Sequence, residues 1–328
     1  MKHALSLTLV AFLSSAAFAQ PVPGDLNVQW NPGAEDCAAN PQPPLQVHRY
    51  DATTFILRQN PCADFEAPLL YLLIGGTRAM LIDSGAVEDA GAMPLAATIA
   101  DLLPEVNGAP LPLLVAHTHR HADHRSGDAQ LAKLPGAEIV PIEPDEIVKF
   151  YGFKSWFEDT VKVDLGGRIV EAIAVPGHLR DHLLFYDANT GLVFTGDFLL
   201  PGRLLVDDID AYRASADRAV AYLANKPVTA VLGGHIELDA NGEPYPSGST
   251  HHPNERALAL DIQDLLALPA ALKDFNGFYS KYPDFIVVNP VRNLLAVAAG
   301  VIAIVGLAIW ALLRLRKRRK TRAATATA

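Results

Sequence analysis

Residues 118–124 are Thr-His-Arg-His-Ala-Asp-His, and this stretch decides the fold because it places four metal-ligating side chains within six residues. From His119 to His124 it follows the pattern His-x-His-x-Asp-His. Imidazole nitrogens and carboxylate oxygens are ligands that suit zinc, iron and manganese. Crowding them together is costly unless a cation satisfies them. The stretch therefore predicts a metal site that draws its remaining ligands from elsewhere in the chain.

Three later apolar runs each end near a glycine that is followed by a ligand-type side chain. The runs and their residues are 169–175 with His178, 192–195 with Asp197, and 228–232 with His235. Runs of β-branched and aliphatic residues predict strands. Glycine allows a sharp turn and lets side chains converge at a strand end. We therefore expect three strands to deliver His, Asp and His to the same site.

These motifs, in this order, resemble those of the metallo-β-lactamase fold superfamily of metallohydrolases over about residues 45–240. The matching residues are Asp83 in the run 81–85, the motif from His119 to His124, His178, Asp197 and His235. The resemblance implies an α/β (α+β) fold, an αββα four-layer sandwich. Two sheets would face each other, helices would cover them, and the metals would lie at one edge.

The resemblance also implies a site with two metal ions. The implied ligands are His119, His121 and His178 for the first ion, Asp123, His124 and His235 for the second, and Asp197 as a bridge between them. Asp83 would bind no metal and would brace the metal loop by hydrogen bonds. The alternative for Asp83 is a turn-forming aspartate before Ser84 and Gly85.

The chemistry implied by this ligand set is metal-dependent hydrolysis. Two divalent ions, expected to be zinc with iron or manganese as alternatives, can share a hydroxide and polarise a substrate oxygen. That hydroxide would attack an ester, thioester, lactone or amide of a small molecule, with Asp123 as the catalytic residue that orients it. Two alternatives stay open. One is a mono-iron oxidoreductase similar to the persulfide dioxygenases of this fold, and the other is a metal-binding module without catalysis.

Asp197 helps to choose among the members of the superfamily. Antibiotic-hydrolysing β-lactamases of the superfamily generally lack a bridging aspartate at this place, whereas hydrolases resembling glyoxalase II and lactonases have one. The ligand set is therefore similar to that of glyoxalase II and the lactonases. The resemblance does not identify the substrate.

Five further residues lie near these motifs, and four of them have two interpretations each. His182 is either a polar residue that starts the strand 183–186 or a contact for substrate or for a ligand. Arg180 either pairs with the adjacent Asp181 or binds an anionic substrate, and His117 supports the ligands at most. His251 and His252 either belong to a loop before a helix or reach over the mouth of the site.

The two ends of the chain predict a location outside the cytoplasm. Residues 1–19 have a basic start, an apolar run and Ala-Phe-Ala before Gln20, which is typical of a cleaved secretory signal. Residues 294–313 are 20 residues without a charge, and about 20 apolar residues span a hydrocarbon core. We expect a hydrolase domain at 20–290, a transmembrane helix at 291–313 and a basic cytoplasmic tail at 314–328. The domain would face the periplasm of a bacterial-type cell from a single-pass anchor.

Charge and cysteine content agree with this division. Eight of the 27 basic residues lie at the two ends, which leaves 19 basic against 36 acidic residues, a formal charge near −17. Such a surface would repel nucleic acid, so we expect a small-molecule substrate and a membrane as partners. Cys37 and Cys62 are the two cysteines. In an oxidising compartment they predict one disulfide, with two free thiols as the alternative.

The apolar periodicity predicts an alternation of strands and helices over about residues 45–240. Strands are expected at 54–57, 69–74, 79–82 and 111–116, and helices near 95–103, 144–151 and 211–223. Residues 254–290 are expected to form one or two closing helices and a short connector to the membrane. The sequence does not determine the oligomeric state.

Overall fold

The structure, a computed structural model, describes residues 21–22 and 24–326, with side chains up to residue 316. The predicted secretory signal at 1–19 lies outside the described residues. The strands are β1 (Leu45–Arg49), β2 (Thr54–Gln59), β3 (Leu69–Ile74), β4 (Ala79–Ile82), β5 (Glu105–Val106), β6 (Ala109–Pro110), β7 (Leu113–Ala116), β8 (Ala137–Ile139), β9 (Thr160–Asp164), β10 (Ile169–Ala174), β11 (Leu183–Asp187), β12 (Leu192–Gly196), β13 (Arg203–Leu205), β14 (Ala230–Gly233), β15 (Ala259–Leu260), β16 (Tyr279–Lys281) and β17 (Ile286–Val288). The helices are α1 (Leu95–Leu102), α2 (Ala122–Arg125), α3 (Asp128–Leu131), α4 (Pro144–Tyr151), α5 (Ile209–Leu223), α6 (Ile262–Asp274) and α7 (Pro290–Ala326).

Two six-stranded sheets carry the fold. Their strand orders are β1-β2-β3-β4-β7-β8 and β15-β14-β12-β11-β10-β9. β4, β7 and β8 run parallel in the first sheet, and β12 and β14 run parallel in the second. A third sheet has the order β13-β17-β16, and β5 pairs with β6 in a hairpin.

Strand periodicity sorts apolar side chains into the layers of the sandwich. In β3, Leu69, Tyr71 and Leu73 point to the cluster between the two sheets, whereas Leu70 and Leu72 point to the cluster under α1 and α3. This alternation follows from the two-residue period of a strand. Tyr71 meets Phe194 of the second sheet with ring centroids 4.6 Å apart. The outer face of the second sheet packs on α5 and α6, which completes the predicted αββα arrangement.

The predicted strands and helices up to about residue 240 are present, with shifts of a few residues at their ends. The expected strand at 54–57 continues to Gln59, and the expected helix at 211–223 begins at Ile209. The prediction for 254–290 is wrong in part. It has one helix, α6, but the remainder contains the short strands β15, β16 and β17. Strands of two or three residues are too short to show a periodic pattern.

The C-terminal helix has the length and composition needed to cross a membrane. The segment Pro290–Arg316 has 27 residues, and its most apolar window has a mean hydropathy of 2.6 and is not buried by the rest of the protein. The helix begins one residue before the expected start at 291 and continues past the uncharged stretch into the basic tail. The structure also joins Cys37 and Cys62 in a disulfide.

Candidate metal centre

The predicted ligands gather at one edge of the sandwich because of strand direction. β10 and β12 both run antiparallel to β11, and β12 runs parallel to β14, so the carboxyl ends of these three strands lie at the same edge. The residues beyond those ends include His178, Asp197 and His235. In the facing sheet β4 and β7 are parallel, and the residues after β7 carry the histidine motif to the same edge.

The first ligand group consists of three histidines whose ring nitrogens face one another. Nε2 of His119 lies 3.0 Å from Nδ1 of His121. Nε2 of His178 lies 3.1 Å from the same Nδ1. The three nitrogens thus converge on one point, as the ligands of a single cation do.

The second ligand group contains Asp123, His124 and His235. Nε2 of His124 and Nε2 of His235 are 3.2 Å apart. Oδ2 of Asp123 lies 3.4 Å from the first of these nitrogens and 3.3 Å from the second. These three atoms form a second convergence point next to the first.

Asp197 lies between the two groups and gives one carboxylate oxygen to each. Its Oδ1 is 3.4 Å from Nε2 of His124 and 3.5 Å from Nε2 of His235. Its Oδ2 is 3.9 Å from Nε2 of His119 and 3.7 Å from Nε2 of His178. The resemblance implied a bridging role for Asp197, and the structure places its carboxylate between the two ligand groups.

The spacing of these atoms fits two divalent cations. Within each group of four residues, Asp197 included, the ligand atoms all lie within 4.8 Å of one another. Zinc–nitrogen bonds of about 2.0–2.1 Å in a tetrahedron place neighbouring ligand atoms about 3.3 Å apart. Among the described residues, the buried Oδ1 of Asp197 has no hydrogen-bond partner. A buried carboxylate oxygen without a donor is satisfied when a cation binds it.

Two of the ligand histidines are oriented by backbone carbonyls that contact their outer ring nitrogens. Nδ1 of His178 bonds to the carbonyl oxygen of Leu205 at 2.9 Å, and Nδ1 of His235 bonds to the carbonyl oxygen of Glu66 at 2.7 Å. Such contacts fix which ring nitrogen is free to bind a metal. Neither carbonyl was predicted, because a backbone acceptor leaves no mark in the sequence.

Asp83 holds the metal loop from behind, as the resemblance implied. Its Oδ2 lies 2.8 Å from Nδ1 of His124, and its carboxylate accepts hydrogen bonds from the backbone N and the Oγ1 of Thr118 at 2.7 and 2.9 Å. Asp83 has a positive φ of 64°, which is uncommon for a residue other than glycine. The alternative interpretation as a turn residue is therefore also met, because the same aspartate turns the chain and braces the loop.

The charges of the site favour a bound cation. Burial and the surrounding imidazoles hold the pKa of His119 well below its usual value. Burial alone would lower the pKa of His235, but the carboxylates of Asp197 and Asp123 raise it to about 9. Burial opposes ionisation of Asp197, yet the positive fields of His124 and His235 lower its pKa. The carboxylates thus attract positive charge that either protons or metal ions supply.

Two glycines leave room for this arrangement. A Cβ on Gly234 would lie 2.8 Å from Cε1 of His124 and 2.9 Å from Oδ1 of Asp197. Gly196 has a positive φ of 49°, and its Cβ would lie 2.5 Å from Oγ1 of Thr118. A side chain at either position would push into the ligands or into the residue that supports them.

Three of the five further residues near the motifs, His182, His117 and Arg180, have defined contacts in the structure. His182 is fully buried just before β11, and its ring stacks on that of His119 with centroids 4.9 Å apart. His117 lies behind the site with its Nε2 2.9 Å from Oδ1 of Asp128. The carbonyl oxygen of Arg180 accepts a hydrogen bond from Nε1 of Trp156. Oδ1 of Asp181 lies 3.6 Å from Nε of Arg120. The structure thus brings His182 into contact with a ligand, one of its two interpretations from the sequence.

A cavity of about 200 Å³ lies beside the metal centre. Its lining residues include Glu66 and Leu205, whose carbonyls hold His235 and His178, and Ile236, which follows His235. The loop predicted at 251–252 forms part of its wall. His252 lines the cavity and stacks on Tyr245 with ring centroids 4.5 Å apart.

Comparison with known proteins gives a family and several distant relatives. Residues 64–235 match the model of the Metallo-beta-lactamase superfamily. A hydroxyacylglutathione hydrolase of Nostoc punctiforme is 28% identical over 155 residues, which cover 43% of this chain and 58% of that protein. An atrochrysone carboxyl ACP thioesterase of Claviceps purpurea is 28% identical over 198 residues, 56% of this chain and 59% of that protein.

The chain thus spans less than two thirds of the length of these curated relatives. Among solved structures, a metallo-beta-lactamase from Pontibacter korlensis superposes with a TM-score of 0.48 and 16% identity, over 70% of this chain and 100% of that one.

Proposed function

Because this chain belongs to the metallo-beta-lactamase superfamily, we propose that it is a metal-dependent hydrolase with two metal ions. Zinc is the metal that we expect at both positions. The observation that carries the proposal is Asp197, whose two oxygens face two separate groups of ligand atoms. Packing alone does not account for this arrangement, since it leaves the buried Oδ1 of Asp197 among histidines without a hydrogen bond.

One ion would be held by His119, His121 and His178, and the other by Asp123, His124 and His235. Asp197 would bind both ions. Such a pair of ions supplies a hydroxide at neutral pH and withdraws charge from a substrate oxygen. Asp123 is one of the ligands with an exposed edge, since its side chain is 23% exposed whereas that of His124 is fully buried. Its carboxylate would orient the attacking water and carry the proton to the leaving group through an Oδ atom.

For the substrate we propose a thioester of a small molecule, with esters, lactones and amides as the wider class. One of the relatives is named as a thioesterase, and the others are named as hydroxyacylglutathione hydrolases. Glu66, Arg203 and Glu237 line part of the cavity beside the site, and Phe65, Leu205, Ile236 and Tyr245 form an apolar wall. Such a wall suits an apolar acyl group next to the reacting carbonyl.

We further propose that the protein is anchored by α7 with the hydrolase domain outside the cytoplasm. The helix has the required length and hydropathy. The basic residues that follow it in the sequence would stay on the cytoplasmic side. A reporter that is active only in the periplasm, fused after Ala328, should then be silent, whereas the same reporter fused after Asn289 should be active.

The decisive experiment combines metal content with turnover. The full-length protein in detergent is analysed for metals and assayed with thioester, lactone, β-lactam and phosphodiester substrates. We expect about two zinc ions per chain and turnover of thioesters. One iron per chain, oxygen consumption and no hydrolysis would contradict the proposal and favour the mono-iron oxidoreductase.

Asp123→Ala tests the role of the exposed ligand. It should abolish turnover and leave the fold and the membrane anchoring intact, because the carboxylate lies at the edge of the site. Asp101→Ala, an exposed residue of α1, is the matched control and should behave as wild type. Unchanged turnover in Asp123→Ala would overturn the mechanism.

A further inference from the structure

The candidate membrane helix emerges directly from the sheet that orients a metal-ligand histidine. β17 ends at Val288, and α7 begins two residues later at Pro290. Val288 pairs with Leu205 of β13, and its carbonyl accepts a hydrogen bond from Val206 N at 2.8 Å. The carbonyl of Leu205 in turn accepts the bond from His178. The connector that the sequence predicted is therefore a paired strand and not a loose tether.

Hydrogen bonds also fix the first turn of the helix on this sheet. Asn289 N donates to the carbonyl of Phe278 at 3.1 Å. Nδ2 of Asn293 donates to the same carbonyl at 3.2 Å, and Arg292 N donates to Oδ1 of Asn289 at 2.8 Å. The side chain of Asn289 is buried. The helix thus leaves the domain in a set direction.

The strand register places the metal centre at the membrane end of this sheet. β13 and β17 are parallel, so Leu205 and Val288 lie at the same end, and Tyr279 of the antiparallel β16 lies opposite Val288. At this end the side chains of Phe278 and Tyr279 are 47% and 44% exposed. Exposed aromatic rings next to a membrane helix suit the interface between headgroups and water.

The distance to the membrane is short. Strands lie about 4.8 Å apart and a helix rises about 1.5 Å per residue, so His178 is within about 25 Å of Leu294, where the uncharged stretch begins. The headgroup region adds about 5–8 Å on each side of the hydrocarbon core. A bilayer whose hydrocarbon core begins near Leu294 would therefore bring its headgroup region to within about 20 Å of His178.

Leu205 connects this face to the cavity beside the metal centre. It lines that cavity together with the apolar side chains of Phe65 and Ile236. Phe65 is 41% exposed at its edge. Glu66, Arg203 and Glu237 line other parts of the same cavity. A membrane-bound amphiphile would thus find an apolar surface at Phe65 and Ile236 and charged groups beside it.

We propose that the face bearing Phe278 and Tyr279 rests on the lipid bilayer, and that the substrate is a membrane-bound amphiphile whose thioester or ester group is presented at the bilayer surface. The inference rests on the proposed hydrolase function for the reaction and on the anchoring by α7 for the geometry. Beyond the proposed function, it names the lipid bilayer as the partner of this face and a membrane-bound amphiphile as the class of substrate.

The first test measures contact with lipid without any assay of activity. Phe278→Trp in the full-length protein is reconstituted into phosphatidylcholine vesicles with and without brominated acyl chains. Because the protein has three native tryptophans, fluorescence is compared with that of the unsubstituted protein. We expect additional quenching by the brominated lipid. Val106→Trp is the control, since Val106 is 44% exposed but lies near the start of β7, opposite the metal edge. Equal quenching in the two variants would overturn the contact surface.

The second test changes the distance between the site and the bilayer and leaves the catalytic residues unchanged. A flexible Gly-Ser linker of about 15 residues, with a root-mean-square span of about 20 Å, is inserted between Asn289 and Pro290. The variant is assayed in vesicles on a thioester carried by a phospholipid headgroup and on the same thioester carried by a water-soluble molecule. We expect at least a tenfold loss on the lipid substrate and unchanged turnover of the soluble one. The same linker placed after Ala328 is the control.

The outcomes separate this inference from the proposed function. Hydrolysis of the soluble thioester together with equal rates on the lipid substrate with and without the linker would overturn the inference alone. No hydrolysis of either substrate by the unmodified protein would overturn the proposed function, and the fluorescence experiment would still decide the contact surface.

Discussion

Oδ2 of Asp83 lies 2.8 Å from Nδ1 of His124, so a carboxylate outside the ligand set orients a ligand inside it. The same aspartate accepts the backbone N–H of Thr118, which precedes the ligand motif. One residue at the end of β4 thereby fixes both the start of the metal loop and the ring of its last histidine. Both groups are buried, which strengthens the interaction relative to a pair in water.

We predict that Asp83→Asn lowers zinc affinity about 10–100-fold, the usual range for contacts that orient a metal ligand. Asparagine tolerates the positive φ of 64° at this position, so the change removes charge and leaves the turn. Competition with a chelator measures the affinity. Asp101→Asn on the exposed side of α1 is the control, and equal affinities in the two variants would refute the role of Asp83.

Gly234→Ala should reduce the metal content of the purified protein. The added methyl group would lie 2.8 Å from Cε1 of His124. Gly234 stands between the end of β14 and the ligand His235, so its backbone cannot shift without moving a strand or a ligand. Elemental analysis measures the loss. Gly91→Ala is the control, because its Cβ would meet its nearest atom at 3.4 Å. Full metal content in Gly234→Ala would show that the site adapts.

The pair formed by Glu171 with Lys226 predicts a pH-dependent contribution to stability. Burial of Glu171 opposes its ionisation, but hydrogen bonds from Lys226 and Tyr222 lower its pKa below the usual value. A depressed carboxyl pKa stabilises the fold above the unfolded pKa of about 4.3, and this stability is lost as the pH falls through the folded pKa. Glu171→Gln should therefore cost about 1–3 kcal/mol near neutral pH and much less in acid.

Urea unfolding of wild type and Glu171→Gln at both pH values measures this difference. Glu138→Gln is the control, since Glu138 is 56% exposed and lies 3.8 Å from Arg78. Surface pairs of this kind contribute about 0–1 kcal/mol. A deficit of Glu171→Gln that is the same at both pH values would contradict the titration of Glu171.

Replacing both Cys37 and Cys62 by serine should lower the free energy of unfolding by about 3 kcal/mol, the value for closing a loop of this size. The two residues are separated by 25 positions. Thermal unfolding with and without reductant measures the effect. Reductant should destabilise the wild type and leave the double serine variant unchanged. Equal sensitivity in both would show that the disulfide does not stabilise the fold.

The candidate ligands were accessible from the sequence because their signals are local, whereas the layers of the fold were implied by the family resemblance. Metal ligands are identified by side-chain chemistry and spacing, and the positions of His119 and Asp197 required no knowledge of distant contacts. Strands such as β3 are long enough to show the two-residue alternation that sorts Leu69 and Leu70 onto opposite faces. The candidate membrane helix is likewise recognised by its length and composition alone.

Other features arise from backbone groups and from short segments brought together by folding. The carbonyls of Leu205 and Glu66 orient two ligands, and a backbone carbonyl is the same in every residue type. β17 has three residues and becomes a strand only because β13 and β16 offer partners. The burial of His182 against His119 follows from the facing of two sheets. Sequence determined which residues can bind metal and which segment can enter a membrane. Tertiary structure decided the distances among the metal-binding residues and between them and that segment, because hydrogen bonds between strands that are distant in sequence set those distances.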